Sequence, residues 1–464
     1  MSSYLYGASV QGIQGFIFET NKLQEIVGAS EIVKSVSKEF EKISGYEEGN
    51  KNILINTAGN IKAIFDNRED CQKVVLDFAK YIQQKAYGLT ISQAVIEFEG
   101  EAVDFINDLE KNLKIQRNRP SIPLDMSINL MKLNSRTAKP LVNKDNDIAS
   151  NQKREAYANW FKKQRIEDKD FEKSKELSYI SNKKNKIAVI HIDGNGLGKL
   201  IPKLKDKLSA FSRELDKATK QAVKDAKDDS MFIREVIVGG DDVTVICNAN
   251  DALTFTKNFL NNFEENTKKI KELKGISDGL TACAGIAYCN EKYPFHYAVN
   301  LAETLCGVAK THSKREHSSL MFHNIQSSNY QSWDKFVEDE LTITNNNSSI
   351  RLDFGAYYLQ KENEATIENL INTVEAYRCD GSPISRLRNW LSELYKSDKN
   401  AQNLLHRINQ IVKEKDNWNC EIMDRNLKFF NKDLSNDTLI ISKDGEDKTP
   451  IYDILQILSV TETK

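Results

Sequence analysis

The chain has 464 residues, which is enough for two to four domains with separate hydrophobic cores. Apolar residues make up 40%, charged residues 28%, and the net charge is −2, so the composition gives no overall reason to expect tight binding to nucleic acid or membranes. No apolar run approaches the roughly 20 residues that span a bilayer, and a signal peptide is not apparent, so we expect a cytoplasmic protein. Seven scattered cysteines without a CxxC pair argue against a zinc ribbon and a disulfide framework.

The first hundred residues predict an alternation of strands and helices. The segment YLYGASV, from Tyr4, is typical of a strand, and a helical stretch follows from about Ile13 to Ile43. Residues 53–65 predict a hairpin that turns at Ala58-Gly59-Asn60. A helix (CQKVVLDFAKYIQQKAY) and a strand (LTISQAVIEF) complete the pattern.

Residues 186–315 repeat that order. The strand KIAVIHID leads through a glycine-rich turn, GNGLG, into a long predicted helix from about Lys199 to Lys227. A hairpin over 233–247, a helix with a phenylalanine stripe, the strand LTACAGIAYC and a helix opening at Pro294 follow. The hairpin begins 49 residues after the strand in the first copy and 47 in the second, which predicts a duplication. A chance match between two unrelated α/β segments stays open.

This order of elements predicts an α+β fold with two tandem ferredoxin-like palm domains, the second bearing the sequence GGDD, followed by a C-terminal α-helical domain. The segment 344–349, TNNNSS, is predicted to be a loop or boundary. The basic stretch 150–186 is typical of a solvated face, although a contact with phosphates stays open. The predicted divisions are a degenerate first palm over 1–115, a linker or helical insert over 116–182, a GGDD palm over 183–330 and the helical domain over 331–464.

Three acidic residues are predicted to converge in the second palm. Asp193 ends an apolar strand, and antiparallel pairing brings it within reach of Asp241 and Asp242 at the hairpin tip. Three neighbouring carboxylates cannot all ionise cheaply without a counter-charge. Two Mg²⁺ (or Mn²⁺) ions would supply it and would activate a hydroxyl and stabilise a leaving pyrophosphate. The alternative is an ordinary charged turn, and the first copy has no carboxylate there.

Glycines and lysines around this site predict a place for phosphates. Gly239 and Gly240 permit a turn with positive φ and leave space for a triphosphate. The GNGLGK segment, with Gly196 and Gly198, fits neither a Walker A motif nor a Rossmann fingerprint and is predicted to arch over a nucleotide. Lys310 and Lys314, predicted one turn apart at the end of the last helix, either clamp β- and γ-phosphates or simply favour the helix C-terminus. His191 is predicted to be packed rather than a ligand.

The chain resembles the large, polymerase/cyclase subunit of type III CRISPR effector complexes. The resemblance covers about residues 1–320 and rests on three stretches: GASVQGIQGFIF, VGASEIV, and HIDGNGLGKLI followed by VGGDDVTVI. That family has a degenerate first palm and a second palm bearing GGDD. The palms are also similar to those of GGDEF diguanylate cyclases and class III nucleotide cyclases, so the palm alone does not fix the product.

The resemblance implies a nucleotidyltransferase that converts NTPs, ATP in the first place, into cyclic oligonucleotide messengers in antiviral signalling, with release of pyrophosphate. It implies that Asp193 and Asp242 hold the metals and that Asp241 assists. Lys310 and Lys314 would take the triphosphate.

The resemblance further implies that Ser30 and the first palm bind the acceptor nucleotide, so that one chain forms a pseudo-dimer; further oligomerisation stays open. The family's His-Asp nuclease domain and zinc-binding cysteine cluster are missing, and Asn195 stands where relatives often have a second aspartate. We therefore expect a short, stand-alone relative. Alternatives are a catalytically silent scaffold bound to RNA and effector-complex subunits, and a cyclase that makes a cyclic dinucleotide.

Overall fold

A computed structural model gives the fold of the chain. It describes residues 3–47, 49–57, 59–119, 130–163, 175–204, 207–326, 332–345, 348–414, 420–443 and 445–462. The predicted turn residue Ala58 and the prolines at the start of the insert, Pro120 and Pro123, lie outside these ranges.

The first palm is a four-stranded antiparallel sheet in the order β2-β3-β1-β4. The strands are β1 (Ser3–Gln11), β2 (Ile53–Thr57), β3 (Asn60–Phe65) and β4 (Thr90–Phe98), and the helices are α1 (Ile13–Ile17), α2 (Leu23–Ser44), α3 (Arg68–Lys85) and α4 (Ile106–Arg117). The single helix predicted over 13–43 is wrong, because the chain bends between α1 and α2. Helix α3 begins at a side-chain cap, in which Asn67 accepts a hydrogen bond from the Asp70 N–H.

The second palm repeats this topology. Its sheet has the order β12-β9-β8-β5-β7-β6, and the four strands β6-β7-β5-β8 correspond one to one to β2-β3-β1-β4. The strands are β5 (Lys186–Gly194), β6 (Ile233–Gly239), β7 (Asp242–Asn248), β8 (Ala282–Asn290), β9 (Ser319–Asn324) and β12 (Tyr357–Tyr358). The predicted repeat of element order is thus present as the same strand order in both sheets.

Four helices accompany this sheet: α6 (Leu197–Leu204), α7 (Leu208–Ala226), α8 (Ala252–Thr267) and α9 (Phe295–His312). The long helix predicted over 199–227 is wrong. It is divided into α6 and α7, and Pro202 in α6 cannot donate a backbone hydrogen bond. Pro294 caps α9 as predicted.

Part of the insert is buried against the first palm. Helix α5 (Ile148–Lys163) approaches α2 so closely that a Cβ on Gly28 would lie 1.8 Å from the Lys153 carbonyl oxygen. The Lys153 ammonium is buried, lies 2.8 Å from Glu19 Oε2 and sits over the ring of Phe16. The prediction of a solvated face is therefore wrong for this lysine, because its charge is paired inside the fold.

The C-terminal region is mostly helical, as predicted, but it also contains a sheet. The helices are α10 (Trp333–Glu340), α11 (Ile367–Tyr377), α12 (Ile384–Leu394), α13 (Asp398–Glu414), α14 (Cys420–Phe430) and α15 (Ile451–Val460). The strands β10 (Thr342–Asn345), β11 (Ser348–Arg351), β13 (Ile441–Lys443) and β14 (Glu446–Lys448) pair in the order β10-β11-β14-β13. The prediction of a loop at 344–349 is therefore wrong for residues 344–345 and 348–349, which belong to the paired strands β10 and β11; residues 346 and 347 lie outside the described ranges. Within the described ranges, no helix is both long and apolar enough to cross a bilayer.

Helix α9 lies against strand β8 at a glycine. A Cβ on Gly285 would lie 1.9 Å from the Ala302 carbonyl oxygen and 2.5 Å from the Cys306 nitrogen. Because these are backbone atoms of α9, a side chain at Gly285 has to push the helix off the sheet.

We therefore expect Gly285→Ala to lower the free energy of unfolding by about 3 kcal/mol. Gly307→Ala on the same helix is the matched control. A Cβ there meets nothing within 4 Å, and we expect a gain of about 0.5–1 kcal/mol from helix propensity. Denaturation midpoints of both variants test this, and an unchanged midpoint for Gly285→Ala would contradict the close approach of α9.

Candidate active site

The structure brings the three predicted carboxylates together at the end of the central strand. In the register of β5 and β7, Asp193 lies directly opposite Asp242. Gly239 pairs with Asp242, so the hairpin turn consists of Gly240 and Asp241 alone. The side chain of Asp241 folds over β5, and its Cβ lies 2.8 Å from where a Cβ on Gly194 would be. Only glycine at position 194 permits this approach.

The two hairpin acids are harder to ionise than ordinary aspartates. Burial, together with the neighbouring Asp193 carboxylate, raises the pKa of Asp241 to about 6 and that of Asp242 to about 7. The Oδ1 atom of Asp242 is buried and has no hydrogen-bond partner among the described residues. The raised pKa values and the unpartnered carboxylate oxygen indicate that this acidic site has too little positive charge around it.

His191 does not supply that charge. Its Nδ1 lies 3.1 Å from Thr244 Oγ1 and 3.6 Å from Asp242 Oδ1. Burial lowers the pKa of His191 to about 4, so the imidazole is neutral at neutral pH. The prediction of a packed, hydrogen-bonded histidine agrees with these contacts.

Lys310 lies inside the acidic site. Its ammonium is 2.6 Å from Asp193 Oδ2 and donates to the Gly194 carbonyl oxygen at 2.9 Å. The side chain is buried, and it is delivered by the last turn of α9. Lys310 therefore neutralises one of the three carboxylates.

Lys314 does not accompany it. Helix α9 ends at His312, and Lys314 is an exposed residue at φ 52 in the turn that follows. The prediction that the two lysines lie one turn apart on a helix is wrong, because the chain leaves the helix before Lys314.

The glycines have different positions from one another. Gly240, at φ 63, and Gly196, at φ 78, adopt the left-handed conformation that favours glycine. Gly239 lies at the end of β6 without positive φ, so that part of the prediction is wrong, and Gly198 is the second residue of α6. Gly196 lies just before α6 and Gly198 lies in its first turn, where backbone N–H groups at a helix start can meet an anion.

Two residues that the sequence did not single out hold the hairpin turn. Thr219 of α7 donates to the Gly240 carbonyl oxygen at 2.6 Å, and Asp216 Oδ1 accepts from the Gly240 N–H at 3.3 Å. Both lie on one helical face, three residues apart. A polar pair within the apolar stripe of this helix was the available signal.

Asn195 and Glu303 complete the surroundings of the acids. Asn195 Nδ2 donates to Thr281 Oγ1 at 3.0 Å, whereas its Oδ1 is buried without a partner among the described residues. Glu303 of α9 contributes to the raised pKa of Asp242. Its carboxylate accepts a hydrogen bond from Gln14 of the first palm, so a residue of α1 reaches the edge of the site.

Ser30 lies at the boundary between the two palms. Its hydroxyl is buried and donates to the Val236 carbonyl oxygen in β6. Val236 falls within an irregularity of the β6–β7 ladder, between Glu235 and Ile237. A bulge leaves a residue unpaired, and Ser30 satisfies the free carbonyl from the other palm.

The oxygen donors around Asp193 are of the kind that bind divalent cations. Within the described ranges, no three His, Cys, Asp or Glu side chains are already arranged to hold a metal ion. Two oxygen acceptors, Asp242 Oδ1 and Asn195 Oδ1, are nevertheless buried without a partner among the described residues; Asp242 lies opposite Asp193, and Asn195 follows Asp193 by two residues. Oxygen atoms of this kind suit a hard cation, so the residues fit Mg²⁺ or Mn²⁺ once Lys310 yields its position at Asp193.

Comparison with known proteins gives a family for part of the chain and a fold for nearly all of it. Residues 186–319 match the family model of the Cas10/Cmr2 second palm domain. No curated protein matches the chain.

Solved structures of a Csm1–Csm4 cassette are similar in fold. The complex with pppApApA aligns with 99% of this chain and 69% of its own chain, at 14% identity and a TM-score of 0.56. The complex with AMPPNP aligns with 99% of this chain and 70% of its own chain, at 14% identity and a TM-score of 0.55. The complex with cA3 aligns with 99% of this chain and 69% of its own chain, at 12% identity and a TM-score of 0.55. The alignment with another such cassette, in complex with one ATP, spans 54% of that chain. The predicted resemblance is thus confirmed: residues 186–319 are similar to the second palm domain of the Cas10/Cmr2 family, and nearly the whole chain is similar in fold to these cassettes.

Proposed function

We propose that the chain is a metal-dependent nucleotidyltransferase that joins NTPs into a cyclic oligonucleotide and releases pyrophosphate, in CRISPR-type antiviral signalling. The proposal rests on the arrangement of Asp193, opposite Asp242, beneath the Gly240-Asp241 turn. Similar cassettes were solved with pppApApA and cA3, which makes ATP the first substrate to test.

The chain's own residues position the reactants in this proposal. Asp193, Asp241 and Asp242 would hold two divalent cations, which supply a more acidic hydroxyl nucleophile and charge stabilisation for the leaving pyrophosphate. The N–H groups near Gly196 and Gly198, at the start of α6, would meet phosphate oxygens. Thr219 and Asp216 fix both polar groups of Gly240, which keeps the acidic turn in place before the substrate arrives.

In this proposal the Lys310 ammonium binds either the Asp193 carboxylate or the triphosphate of the substrate. Without cations, its ammonium is the counter-charge of Asp193 at 2.6 Å. A lysine is a flexible point charge, so it can turn to a triphosphate when cations replace it at the carboxylate. The same residue would then bind substrate only in the metal-loaded protein.

The acceptor nucleotide would bind where the palms meet, beside Ser30. That hydroxyl is engaged by Val236 in the structure, so a nucleotide would have to compete for it. Gln14, which contacts Glu303, offers a second polar group of the first palm at this edge. RNA or effector-complex subunits remain proposed partners.

We expect the purified chain, incubated with each NTP and Mg²⁺ or Mn²⁺, to yield cyclic oligoadenylate and pyrophosphate from ATP. Asp193→Asn, or Asp241→Asn with Asp242→Asn, should lower turnover about 1000-fold, because the cations lose their ligands. Product mass by mass spectrometry gives the ring size and identifies a dinucleotide.

The matched control is Asp229→Asn, an exposed acid outside the site. Absence of product with all four NTPs, with and without RNA that copurifies, would sink the enzymatic proposal and favour a scaffold.

The acidity of the hairpin predicts a pH-dependent stability. The pKa of Asp242 is about 7 in the folded chain and near 4 in an unfolded one, so the folded chain holds the proton more tightly. The stability contributed by this group is therefore lost as the pH rises from about 4 to about 7. The substitution Asp242→Asn removes this pH-dependent loss of stability, because asparagine does not ionise.

Without metal, we expect Asp242→Asn to melt at a higher temperature than the wild type at pH 8 and at the same temperature at pH 4. Mg²⁺ should raise the melting temperature of the wild type at pH 8 and leave the variant nearly unchanged. Asp229→Asn should follow the wild type in all three conditions. A variant that melts lower at pH 8 would show that Asp242 has a structural partner instead.

Lys310→Met is expected to reduce kcat/KM for ATP by about 100-fold, because both the counter-charge and the proposed phosphate contact are lost. Lys292→Met, exposed ahead of α9, is the control. Steady-state kinetics at saturating Mg²⁺ test this. An unchanged kcat/KM in Lys310→Met would contradict the proposed phosphate contact and leave Lys310 only its ion pair with Asp193.

A further inference from the structure

A basic groove lies between α7 and the end of α8, on the same helix that holds the hairpin turn. Its volume is about 580 Å³, and four lysines but only one glutamate line it. The lysines are Lys217, Lys220 and Lys224 of α7 and Lys269 after α8.

These lysines leave an excess of positive charge. Lys217 pairs with Glu214 at 2.8 Å and Lys220 with Asp216 at 2.5 Å. In the described part of the chain, Lys224 and Lys269 form no ion pair with an acid, and both are exposed. Like charges on one helical face repel each other, so an anion bound here is favoured.

The shape of the groove indicates which anion. Residues 217, 220 and 224 share one face of α7 and extend over about 10 Å of helix. This stripe is longer than one phosphate group, and the groove is open to solvent along it. Ammonium groups that follow a line bind the repeated charges of a phosphodiester backbone without reading its bases.

The groove is also connected to the catalytic turn. The Lys220 ammonium forms an ion pair with Asp216 Oδ2, and Asp216 Oδ1 accepts a hydrogen bond from the Gly240 N–H. When Lys220 turns to a phosphate, the Asp216 carboxylate loses its cation and its bond to the Gly240 N–H strengthens. Occupation of the groove is therefore transmitted to the turn that carries Asp241.

We propose that the α7–α8 groove binds the phosphodiester backbone of single-stranded nucleic acid, and that the contact tightens the Gly240-Asp241 turn through Lys220 and Asp216. This site is separate from the acidic pocket, and its ligand differs from the proposed NTP substrate. It gives the second palm a built-in response to a bound strand.

The binding is tested on the full chain with a fluorescent ten-nucleotide oligoadenylate and its DNA counterpart, by anisotropy over a series of salt concentrations. Lys224→Glu with Lys269→Glu should weaken binding of the RNA at least tenfold and reduce the slope of log K against log salt by about 1.4, at 0.7 per phosphate contact. Lys73→Glu with Lys80→Glu, on the exposed face of α3, is the matched control and should change neither.

The connection to the turn is tested by hydrogen exchange of peptides that cover 233–248. We expect the oligoadenylate to slow exchange there in the wild type. In Lys220→Met, where Asp216 has no cation, exchange should already be slow and should not respond. Neither readout requires activity or metal, so a failure here is distinct from a failure of the proposed enzyme.

Three results would overturn the proposal. The first is equal affinity of the groove variant and the α3 control. The second is binding of inorganic triphosphate as tightly as of the ten-mer, which would indicate a small-anion site. The third is an exchange response in Lys220→Met equal to that of the wild type. Similar affinity for RNA and DNA is the expected result for a contact with the backbone.

Discussion

Mutual repulsion among carboxylates is the constraint around which the second palm is built. Antiparallel pairing places Asp193 opposite Asp242, and a two-residue turn adds Asp241 above them. Each acid raises the cost of ionising the next, and burial adds to that cost. A fold that keeps three such groups together has to bring positive charge to them.

Among the described residues, the cation paired with these acids is the buried ammonium of Lys310, whose position depends on close backbone packing. Helix α9 can lie on β8 because Gly285 has no side chain there, and the end of α9 then carries Lys310 to Asp193. Gly194 similarly permits Asp241 to fold over the central strand. Two missing side chains thus decide the electrostatics of the site. Divalent cations and a triphosphate, in our proposal, complete the neutralisation that one lysine begins.

The two palms share a strand order but contribute different residues to the site and its surroundings. The second palm carries the acids, whereas the first contributes contacts at the boundary: Ser30 satisfies the free carbonyl of Val236, and Gln14 meets Glu303. Helix α5 of the insert braces the first palm through the buried Lys153–Glu19 pair. The first palm thus has the same strand order as the second, but its hairpin has no carboxylate.

The sequence by itself determined the repeated order of strands and helices and the convergence of Asp193, Asp241 and Asp242. Apolar periodicity and a two-residue acidic turn are local properties, and strand pairing follows from them. It did not determine the break of the predicted helices, the short strands near 344–349 or the departure of Lys314 from α9, since each depends on a few residues at an element's end. Only the tertiary structure decided that Lys310 points to Asp193, that Asp216 and Thr219 hold Gly240, and that Ser30 faces Val236. These contacts join residues far apart in the chain, and side-chain packing rather than local pattern selects them.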